Sequence, residues 1–480
     1  MTATLEAPAE TKTVVDRRWL GLFAILTATL MNLLDGSIVN VALPVIRQDL
    51  GGSYAAMQWT VAGYTLVMAA GLMTGGRLGD MFGRRRMLLL GAAGFVVASI
   101  LCGAAFSPET LIAARLLQGV FAALMVPQCF GLIRDLFPGE DQAKAWGVFG
   151  PSIGLATILG PIVAGLLIKL DAFGTDWRGI FLINIPLGAF ALIAGRIALP
   201  RSTGDRTGGL DVAGMLIAAT GMTLLVYPLV QGREHGWPAW IFAMLAASVL
   251  VLAVFAVHQI RRGRSGRKPL VELSVFGRRS YSSGVVFVIA FFISIMGFMI
   301  AVGFLLQLAL GYTPIGASVA MAPWALGAFV GSAAGAMNPN LGRKVLHLGL
   351  ALMALGMAGV YAILKTRGVE VSAWPLALPF LVGGTGMGMI FVPMFDIIMG
   401  EIADHEVGSA AGALESVQQL AAALGVAALG TVFFNRFLVP GSPSVNGLHA
   451  AEQVTLWAIG LAAAAFAIGF LLPKKARASH

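Results

Sequence analysis

The chain has 480 residues, of which 58% are hydrophobic and only 11% are charged. A soluble protein of that composition would have too little polar surface to cover its core. We therefore exclude a soluble globular protein and predict a polytopic membrane protein. Cys102 and Cys129 lie in apolar segments, which supports neither a disulfide framework nor a thiolate metal site.

Fourteen apolar segments of the sequence are long enough to cross a bilayer as helices, since about 20 residues at about 1.5 Å each span the hydrocarbon. They lie near residues 18–46, 54–80, 87–106, 108–133, 142–169, 179–199, 209–230, 238–260, 279–311, 314–338, 345–365, 372–400, 405–438 and 451–472. The first residues, MTATLEAPAETKTVV, lack the pattern of a cleavable signal. We expect them to form a cytosolic tail.

Basic residues predict the orientation of these segments. With the N-terminus inside, most of the 32 Lys and Arg residues fall in the tails and inner loops, and a basic run from Arg261 to Arg279 lies between helices 8 and 9. Such loops stay on the cytoplasmic side. We therefore expect a multi-pass protein of the cell membrane with both termini in the cytoplasm. The net charge of +9 then reflects topology rather than nucleic acid binding.

The first predicted helix contains an ionisable residue. Around Asp35 the sequence reads LMNLLDGSIVNVALP, so that Asn32, Ser37 and Asn40 also interrupt an otherwise apolar helix. An ionisable group in the membrane costs roughly 2.5–3.5 kcal/mol on insertion scales and usually faces a polar cavity or a partner. Either the polar cluster makes a helix–helix hydrogen bond, or Asp35 carries a proton or senses a cation. We favour the second interpretation.

The turn between helices 2 and 3 reads GGRLGDMFGRRRML. Gly76, Gly79 and Gly83 permit a tight turn and close helix approach. Asp80 ends helix 2, and Arg84 and Arg85 begin helix 3. A carboxylate here can pair with those arginines and with the positive N-terminus of a helix from the other half of the molecule. We predict an inner gate that breaks when this side opens; a purely topological role is the alternative.

Several motifs, in the expected order along the chain, resemble those of the major facilitator superfamily. The turn is similar to its loop signature, helix 1 resembles its fourteen-helix drug–proton antiporters (the EmrB/QacA type), and helix 4 resembles its R-x-x-Q-G motif. The segments DWRGIFLINIPLG and PLVELSVFGRR are two further matches. The matching residues are Gly76, Leu78, Asp80, Gly83, Arg84 and Arg85; Leu34, Asp35, Val39, Asn40, Val41, Ala42 and Pro44; Arg115, Gln118 and Gly119; and Trp177, Arg178, Phe181, Asn184, Pro186 and Gly188.

Helix 5 is similar to the antiporter motif of that superfamily, which accompanies export rather than uptake. Ala156 and Ala164 replace two of its expected glycines. Both are small, so close packing and a bend at the proline are still possible. The matching residues are Gly147, Gly160, Pro161 and Gly165.

Asp35 and Arg115 are expected at similar depth. Asp35 lies about 24 Å along helix 1 from Trp19, and Arg115 lies about 10 Å below the outer surface in helix 4. Across a core of about 30 Å, both fall in the outer half. In the family the matching arginine is implicated in proton transfer. We predict that the two residues couple proton movement; a purely structural charge pair is the alternative.

Helix 13 carries a second carboxylate, Glu415, near mid-membrane and one turn from Gln418 and Gln419. Some exporters of cationic drugs in the family carry acids in this helix. We predict that these residues sense the substrate; a buried, hydrogen-bonded acid is the alternative. Asn32 and the mid-span Trp324 complete the predicted set, since aromatic faces attract cations.

The resemblance implies an all-α polytopic membrane protein with the major facilitator fold: two six-helix bundles plus two inserted linker helices, 14 spans in total. The inner loop at Gly342, Arg343 and Lys344 echoes the turn at Gly83, as expected for a repeated design. The expected regions are a cytosolic tail at 1–17, an N-terminal bundle at 18–200, the linking helices with their loops at 201–268, a C-terminal bundle at 269–473 and a cytosolic tail at 474–480.

These features predict a proton-coupled antiporter that exports amphipathic, cationic or zwitterionic drugs by alternating access. The alternatives are a dedicated exporter of one endogenous metabolite or antibiotic and a non-transporting membrane sensor or scaffold. We predict no enzyme activity, catalytic residue, metal or cofactor, since no nucleotide-binding or metal-ligand motif is present in the sequence. The expected partners are a small-molecule substrate, protons and the lipid bilayer, without nucleic acid, and the expected state is a monomer.

Overall fold

The computed structural model describes residues 11–137, 141, 145, 148, 160, 162–171, 174–201, 204, 209–267, 269–336, 341–402 and 407–474. Within these residues the regular elements are helices. Those of the first half are α1 (Thr11–Leu50), α2 (Tyr54–Phe82), α3 (Arg84–Gly103), α4 (Pro108–Leu136), α5 (helical residues 162–170) and α6 (Asn184–Ala198). Two short helical turns, Asp176–Arg178 and Gly179–Leu182, lead into α6.

Two linking helices, α7 (Val212–Gln231) and α8 (Ala239–Arg264), precede the second half. The second half comprises α9 (Arg279–Phe304), α10 (Pro314–Ala336), α11 (Arg343–Arg367), α12 (Ala373–Met399), α13 (Val407–Leu424) and α14 (Pro443–Gly469). A π-helical turn, Leu305–Ala309, extends α9, and another, Gly425–Leu429, continues α13 into the helix Gly430–Phe437.

Local sequence sets where these helices begin. The Ser53 hydroxyl oxygen accepts a hydrogen bond of 3.2 Å from the Ala56 N–H at the start of α2. Ser107 forms a capping box with Thr110 at the start of α4. Such caps bind N–H groups that the first turn of a helix leaves without a partner. Between α2 and α3, Gly83 has a φ of 93°, which glycine adopts without steric cost.

Twelve helices in the described part of the chain are long and apolar enough to cross a membrane. The predicted count of fourteen is therefore not what the structure shows. α2 is a helix of 29 residues, but it is outside the twelve, because Gln58, Arg77 and several glycines and threonines make it less apolar. The predicted fifth span, 142–169, falls largely outside the described residues. The protein is thus a multi-pass, all-helical membrane protein.

Small residues let the helices of each half approach closely. A Cβ added to Gly75 of α2 would lie 2.0 Å from the Ala123 carbonyl oxygen of α4. One added to Gly331 of α10 would lie 2.0 Å from the Thr385 carbonyl oxygen of α12. Any side chain at these positions would force the two backbones apart, as in other tightly packed membrane helices.

Each half has an arginine that binds the end of its own last helix. In the first half, Arg85 Nη2 donates to the Arg196 carbonyl oxygen near the end of α6. In the second half, Arg343 Nη1 donates to the Phe470 and Leu472 carbonyl oxygens, at 2.7 and 2.8 Å, just after α14. The last carbonyls of a helix lack helical partners and carry partial negative charge. A guanidinium group therefore caps them favourably in both halves.

The two halves meet along α2 and α13. Gln58 Nε2 donates to the carbonyl oxygens of Val426 and Ala427, at 3.2 and 3.4 Å. Further along α2, the Ala69 carbonyl oxygen accepts a hydrogen bond from Ser416 Oγ. These bonds run from the middle of the bundle towards the α1–α2 turn. We call that end the Gly51 end and the opposite end, at the α2–α3 turn, the Gly83 end.

The linking helix α7 contacts both halves at the Gly51 end. Its Tyr227 ring lies 5.9 Å, between centroids, from the Trp59 ring of α2. Its Leu229 carbonyl oxygen accepts a hydrogen bond of 2.8 Å from Thr431 Oγ1, which follows α13. The insertion is therefore packed against the interface between the halves rather than held apart from it.

A buried carboxylate, Asp211, joins the two linking helices. It accepts hydrogen bonds from the Gly214 N–H at 2.9 Å, from Gln259 Nε2 at 2.8 Å and from His258 Nε2 at 2.9 Å, and Arg262 Nη1 lies 3.6 Å away. Burial raises the pKa of Asp211, but the hydrogen bonds and the charge of Arg262 outweigh burial and hold the pKa below its usual value. Asp211 therefore stabilises this contact as an anion.

Candidate functional site

The Asp35 carboxylate lies in a buried ion pair. Arg115 Nη1 of α4 donates to Asp35 Oδ2 of α1, and the two side chains are 1% and 0% exposed. Arg115 also donates from Nε to the Thr60 carbonyl oxygen of α2 at 3.0 Å and from Nη1 to Gln118 Oε1 at 2.7 Å. The structure thus brings together the two residues that the depth estimate placed at the same level.

Amide and hydroxyl groups complete the surroundings of Asp35. Gln118 Nε2 donates to Asp35 Oδ1 at 2.8 Å and to Ser99 Oγ of α3 at 3.4 Å. Asn184 Nδ2 of α6 donates to the same two oxygens, at 3.4 and 2.9 Å. All of these side chains are buried. We call Asp35, Arg115, Gln118, Ser99 and Asn184 the Asp35 network.

An aromatic ring covers the guanidinium group of this network. Arg115 Cζ lies 4.1 Å from the centroid of the Tyr64 ring of α2, within the range of cation–π attraction. The Tyr64 hydroxyl donates to Asn32 Oδ1 of α1. The predicted substrate-sensing residue Asn32 is 8% exposed and anchors the Tyr64 ring through this bond.

The described hydrogen-bond partners of Asp35 are all donors, so the site suits the ionised carboxylate. A buried ion pair is stable only when its remaining lone pairs and protons are also bonded. Removing one partner leaves an uncompensated charge, which costs about 3–5 kcal/mol. The amide and hydroxyl groups around the Asp35–Arg115 pair therefore supply the hydrogen bonds that such a buried pair needs.

The predicted inner-gate residues lie together at the Gly83 end. Asp80 Oδ1 is 3.5 Å from Arg84 Nη2, and Arg84 Nη1 is 3.3 Å from Asp135 Oδ1 of α4. Both pairs are partly exposed and join residues of the first half. Such pairs contribute roughly 0–1 kcal/mol each. The predicted contact of Asp80 with the N-terminus of a helix of the second half is not among the hydrogen bonds and ion pairs that join described residues.

At this end, Gly79 and not Gly76 is the glycine that permits the close approach of α2 to α4. A Cβ added to Gly79 would lie 1.9 Å from Gln128 Oε1 of α4, whereas one added to Gly76 would make only an ordinary contact of 3.7 Å with Pro127 Cβ. Gln128 Nε2 also donates to the Gly75 carbonyl oxygen at 2.8 Å. The loop signature therefore fixes how α2 packs on α4 as well as where its charges lie.

Two glycines of the predicted antiporter helix allow close contacts on both sides. A Cβ added to Gly160 would lie 2.0 Å from Ser37 Oγ of α1, two residues beyond Asp35. One added to Gly165 would lie 2.5 Å from the Ile315 Cα of α10, in the second half. The other two predicted positions, 147 and 161, are outside the described residues. This segment therefore touches α1 beside the Asp35 network and the second half as well.

The residues Glu415, Gln418 and Gln419 are half-buried on α13. Gln419 Nε2 donates to Glu415 Oε1 at 3.0 Å. Gln418 Oε1 is buried without a hydrogen-bond partner among the described residues. Among the described residues, the hydrogen-bond partners of Asp35 belong to the first half, and the partner of Glu415 is Gln419 of the same helix.

Trp324 lies in the core of the second half. It is 4% exposed, and its ring centroid is 5.4 Å from that of Phe298 and 6.5 Å from that of Phe380. A Cβ added to Gly383 of α12 would lie 2.5 Å from Trp324 Cζ3. In this structure Trp324 therefore packs between α9, α10 and α12.

Comparison with known families decides what kind of protein holds this site. Residues 25–426 match the model of the Major Facilitator Superfamily, which is most of the chain. The chain belongs to the Major Facilitator Superfamily. It is accordingly a membrane transporter and not an enzyme.

Curated relatives of this superfamily member include exporters. It is 43% identical over 446 residues to a probable actinorhodin transporter of Streptomyces coelicolor, a match that covers 92% of this chain and 77% of the relative. It is 33% identical to a tetracenomycin C resistance and export protein of Streptomyces glaucescens, covering 88% and 77%. It is 30% identical to a multidrug efflux pump of Mycolicibacterium smegmatis, covering 90% and 84%. These relatives support an exporter.

Two solved structures of peptide transporters share the fold of this chain. An auto-inhibited peptide transporter of the POT family aligns with a TM-score of 0.66 at 17% identity, and the alignment covers 94% of this chain and 96% of that one. A bacterial homologue of the human drug peptide transporters aligns with a TM-score of 0.61 at 16% identity, covering 94% and 97%. At this identity the likeness shows the fold alone.

The sequence does not assign several members of the site in this Major Facilitator protein. Gln118 and Asn184 match superfamily motifs, but their spacing along the chain does not predict contact with Asp35. Tyr64 and Ser99 match none of the motifs described above. Ser99 does interrupt the apolar run of α3, where a hydroxyl without a hydrogen-bond partner would be unfavourable.

Proposed function

We propose that this transporter is a proton-coupled antiporter of the fourteen-helix drug–proton type, which exports amphipathic, cationic or zwitterionic compounds. The proposal rests on one observation above all, the buried pair of Asp35 and Arg115. Ionisable groups inside a membrane bundle mark ion and proton paths. The export direction is supported by the printed functions of the relatives.

In the proposed cycle Asp35 accepts a proton while the site faces outward, the substrate leaves, and the protonated carrier returns inward. There the proton leaves, Asp35 pairs again with Arg115, and a new substrate binds. Each proton that moves down 100 mV supplies roughly 2.3 kcal/mol, and each pH unit adds about 1.4 kcal/mol. This is sufficient to accumulate a substrate outside the cell without ATP.

Glu415, with Gln418 and Gln419, is proposed to sense the positive charge of the substrate. The three polar side chains are half-buried on α13, one of the helices where the halves meet. Asn32 acts indirectly in this proposal, by holding the Tyr64 ring over Arg115. Trp324 acts by keeping the second half packed rather than by contact with the substrate.

The inner gate is proposed to close when Asp80 and Arg84 at the Gly83 end meet the second half. The Gly83 end is then cytoplasmic, and so are both termini. We further propose that α2 and residues 142–169 are the thirteenth and fourteenth spans, because α2 packs beside α4 through Gly75 and at about 1.5 Å per residue exceeds the bilayer core. The functional unit is proposed to be a monomer.

A second candidate is a dedicated exporter of one endogenous compound. It is favoured by the relatives whose names give a single compound, actinorhodin or tetracenomycin C. The two candidates share the proton chemistry and differ in breadth. Growth of cells that express the protein, measured against several unrelated dyes and antibiotics, separates them. Protection against many compounds supports the first candidate, and protection against one or none of them supports the second.

The proton coupling is tested in proteoliposomes that contain purified protein and a pH-sensitive dye. Cationic compounds are added under an imposed proton gradient to wild type, to Asp35→Asn and to a control, Glu370→Gln, which alters an exposed carboxylate. We expect substrate-triggered proton movement in wild type and control and none in Asp35→Asn. Equal signals in all three would remove Asp35 from the proton path. A membrane sensor that does not transport would give no signal in any of them.

A further inference from the structure

We propose that Asn184 is a positioning residue for the proton: its side-chain amide turns over to accept a hydrogen bond from Asp35 when that carboxylate becomes protonated. This inference rests on the proposed function, in which Asp35 changes charge. It concerns a residue that touches Asp35 from α6, a helix that contributes no other side chain to the Asp35 network.

Among the described residues, the surroundings of Asp35 are rich in hydrogen-bond donors and poor in acceptors. The described partners of its carboxylate, Arg115, Gln118 and Asn184, all donate. They suit the anion. A protonated carboxyl group carries one O–H that needs an acceptor, and a buried O–H without one is strongly disfavoured. The network as it stands therefore lacks a place for the proton that the proposed cycle brings.

The other acceptors of the network are already engaged. Gln118 Oε1 accepts from Arg115 Nη1 at 2.7 Å and from Cys102 Sγ at 3.5 Å. Ser99 Oγ accepts from both amides, and its hydrogen is directed to the Phe181 carbonyl oxygen at 2.9 Å. Neither atom can serve Asp35 without losing a partner of its own.

Asn184 differs from these neighbours. Its Oδ1 is buried and has no hydrogen-bond partner among the described residues, while its Nδ2 lies 3.4 Å from Asp35 Oδ1 and 2.9 Å from Ser99 Oγ. Because an amide carries its oxygen and nitrogen in nearly equivalent positions, a half-turn about Cβ–Cγ exchanges the two atoms. The oxygen then faces Asp35 and accepts the new O–H. The Ser99 hydroxyl rotates to donate to the same oxygen and gives up its bond to the Phe181 carbonyl oxygen.

The protonation step is balanced. A hydronium ion reaches the site, an O–H bond forms on the Asp35 carboxylate, and a water molecule leaves. The charge of the Asp35–Arg115 pair changes from zero to plus one. Among the described residues, the titratable groups that face Asp35 are Arg115 of α4, Tyr64 of α2 and Cys102 of α3. Asn184 is the contribution of α6, and it is uncharged in both states.

The length of the bond from Asn184 Nδ2 to Asp35 Oδ1 sets the direction of the effect. At 3.4 Å the bond from Asn184 to ionised Asp35 is long, and Gln118 and Arg115 remain to hold the anion. A side chain without polar atoms at position 184 therefore removes little from the ionised state and removes the acceptor from the protonated state. We expect Asp35 to bind its proton only at lower pH in such a variant.

The test compares Asn184→Val with Asn184→Thr, two side chains of the same shape that differ by one hydroxyl group able to accept and donate. Infrared difference titration of purified protein in lipid follows the protonated carboxyl band that disappears in Asp35→Asn. Ser294→Ala is the control: it removes a buried hydroxyl that donates to the Ala458 carbonyl oxygen of α14, in the second half. The pH profile of proton flux in proteoliposomes is recorded on the same samples.

In Asn184→Val we expect the midpoint of Asp35 protonation to fall by about one pH unit relative to wild type, a tenfold change in proton affinity. In Asn184→Thr and Ser294→Ala we expect the midpoint to differ from wild type by less than about half a pH unit. Equal midpoints for the valine and threonine variants, or a rise in the valine variant, would overturn the inference. The infrared titration requires no transport. If flux were unaffected by Asp35→Asn, the proposed function would fail while the infrared result still decided the role of Asn184.

Discussion

Replacing Arg115 with methionine is expected to destabilise the protein through the carboxylate that it leaves behind. Methionine keeps a long, flexible side chain but donates no hydrogen bond. The variant loses the bonds to Asp35, to the Thr60 carbonyl oxygen and to Gln118, and Asp35 stays fully buried without a counter-charge. Breaking a buried pair in this way costs about 3–5 kcal/mol, which is a large part of the stability of most proteins.

The assay is thermal unfolding in detergent of wild type, Arg115→Met, Asp35→Asn and the double variant. Asp35→Asn keeps the shape of the side chain and removes its charge, so the double variant contains no uncompensated charge. We expect it to melt at a higher temperature than Arg115→Met alone, although it carries one more substitution. Residues that do not interact give losses that add. A double variant whose loss equals the sum of the two single losses would refute the reasoning.

Three further outcomes are expected. Gly165→Ala places a Cβ 2.5 Å from the Ile315 Cα; it should destabilise the folded protein by about 1–3 kcal/mol and slow transport in vesicles. Gly460→Ala is the control, because a Cβ there meets nothing within 4 Å, and it should have neither effect. Asp211→Asn should lower the melting temperature at pH 7. Because the pKa of Asp211 is held below its usual value, its stabilisation is present above the unfolded value of about 3.9 and lost as the pH falls through the folded value; a deficit that persists unchanged at pH 3 would contradict this. Trp324→Ala should cost about 3–5 kcal/mol without changing the ratio of transport rates for two substrates, and a changed ratio would show that Trp324 contacts them.

The sequence predicts the depth of a side chain along its helix better than it predicts which side chains of neighbouring helices contact it. Rise per residue alone placed Asp35 and Arg115 at one level, and the structure pairs them. It cannot predict which face of α3 or α6 turns towards them, because a helix in an apolar solvent has no strong periodic signal. Ser99 and Asn184 were therefore not assigned to the site. The span count differs from the predicted fourteen at two places: α2 is less apolar than the twelve helices that qualify as spans, and residues 142–169 lie largely outside the described residues.

Trp324 shows a second limit of reading from sequence. A tryptophan in mid-span is compatible with a cavity wall and with a packed core. The choice depends on its neighbours from other helices, here Phe298, Phe380 and Gly383. Sequence spacing along α10 contains no information about them. The α2–α3 turn needs no such information, because its glycines and charges contact neighbouring residues of the turn and of α4.

Each half of the bundle is closed by its own arginine, Arg85 on the end of α6 and Arg343 on the end of α14. Neither of these helix caps depends on the peptide connection through α7 and α8. A gene divided before α7 would therefore encode two fragments, each of which contains the arginine that caps its last helix. Co-expressed in one membrane, the fragments would have the hydrogen bonds between α2 and α13 to bring them together. The single chain therefore holds two structural units at a fixed one-to-one ratio.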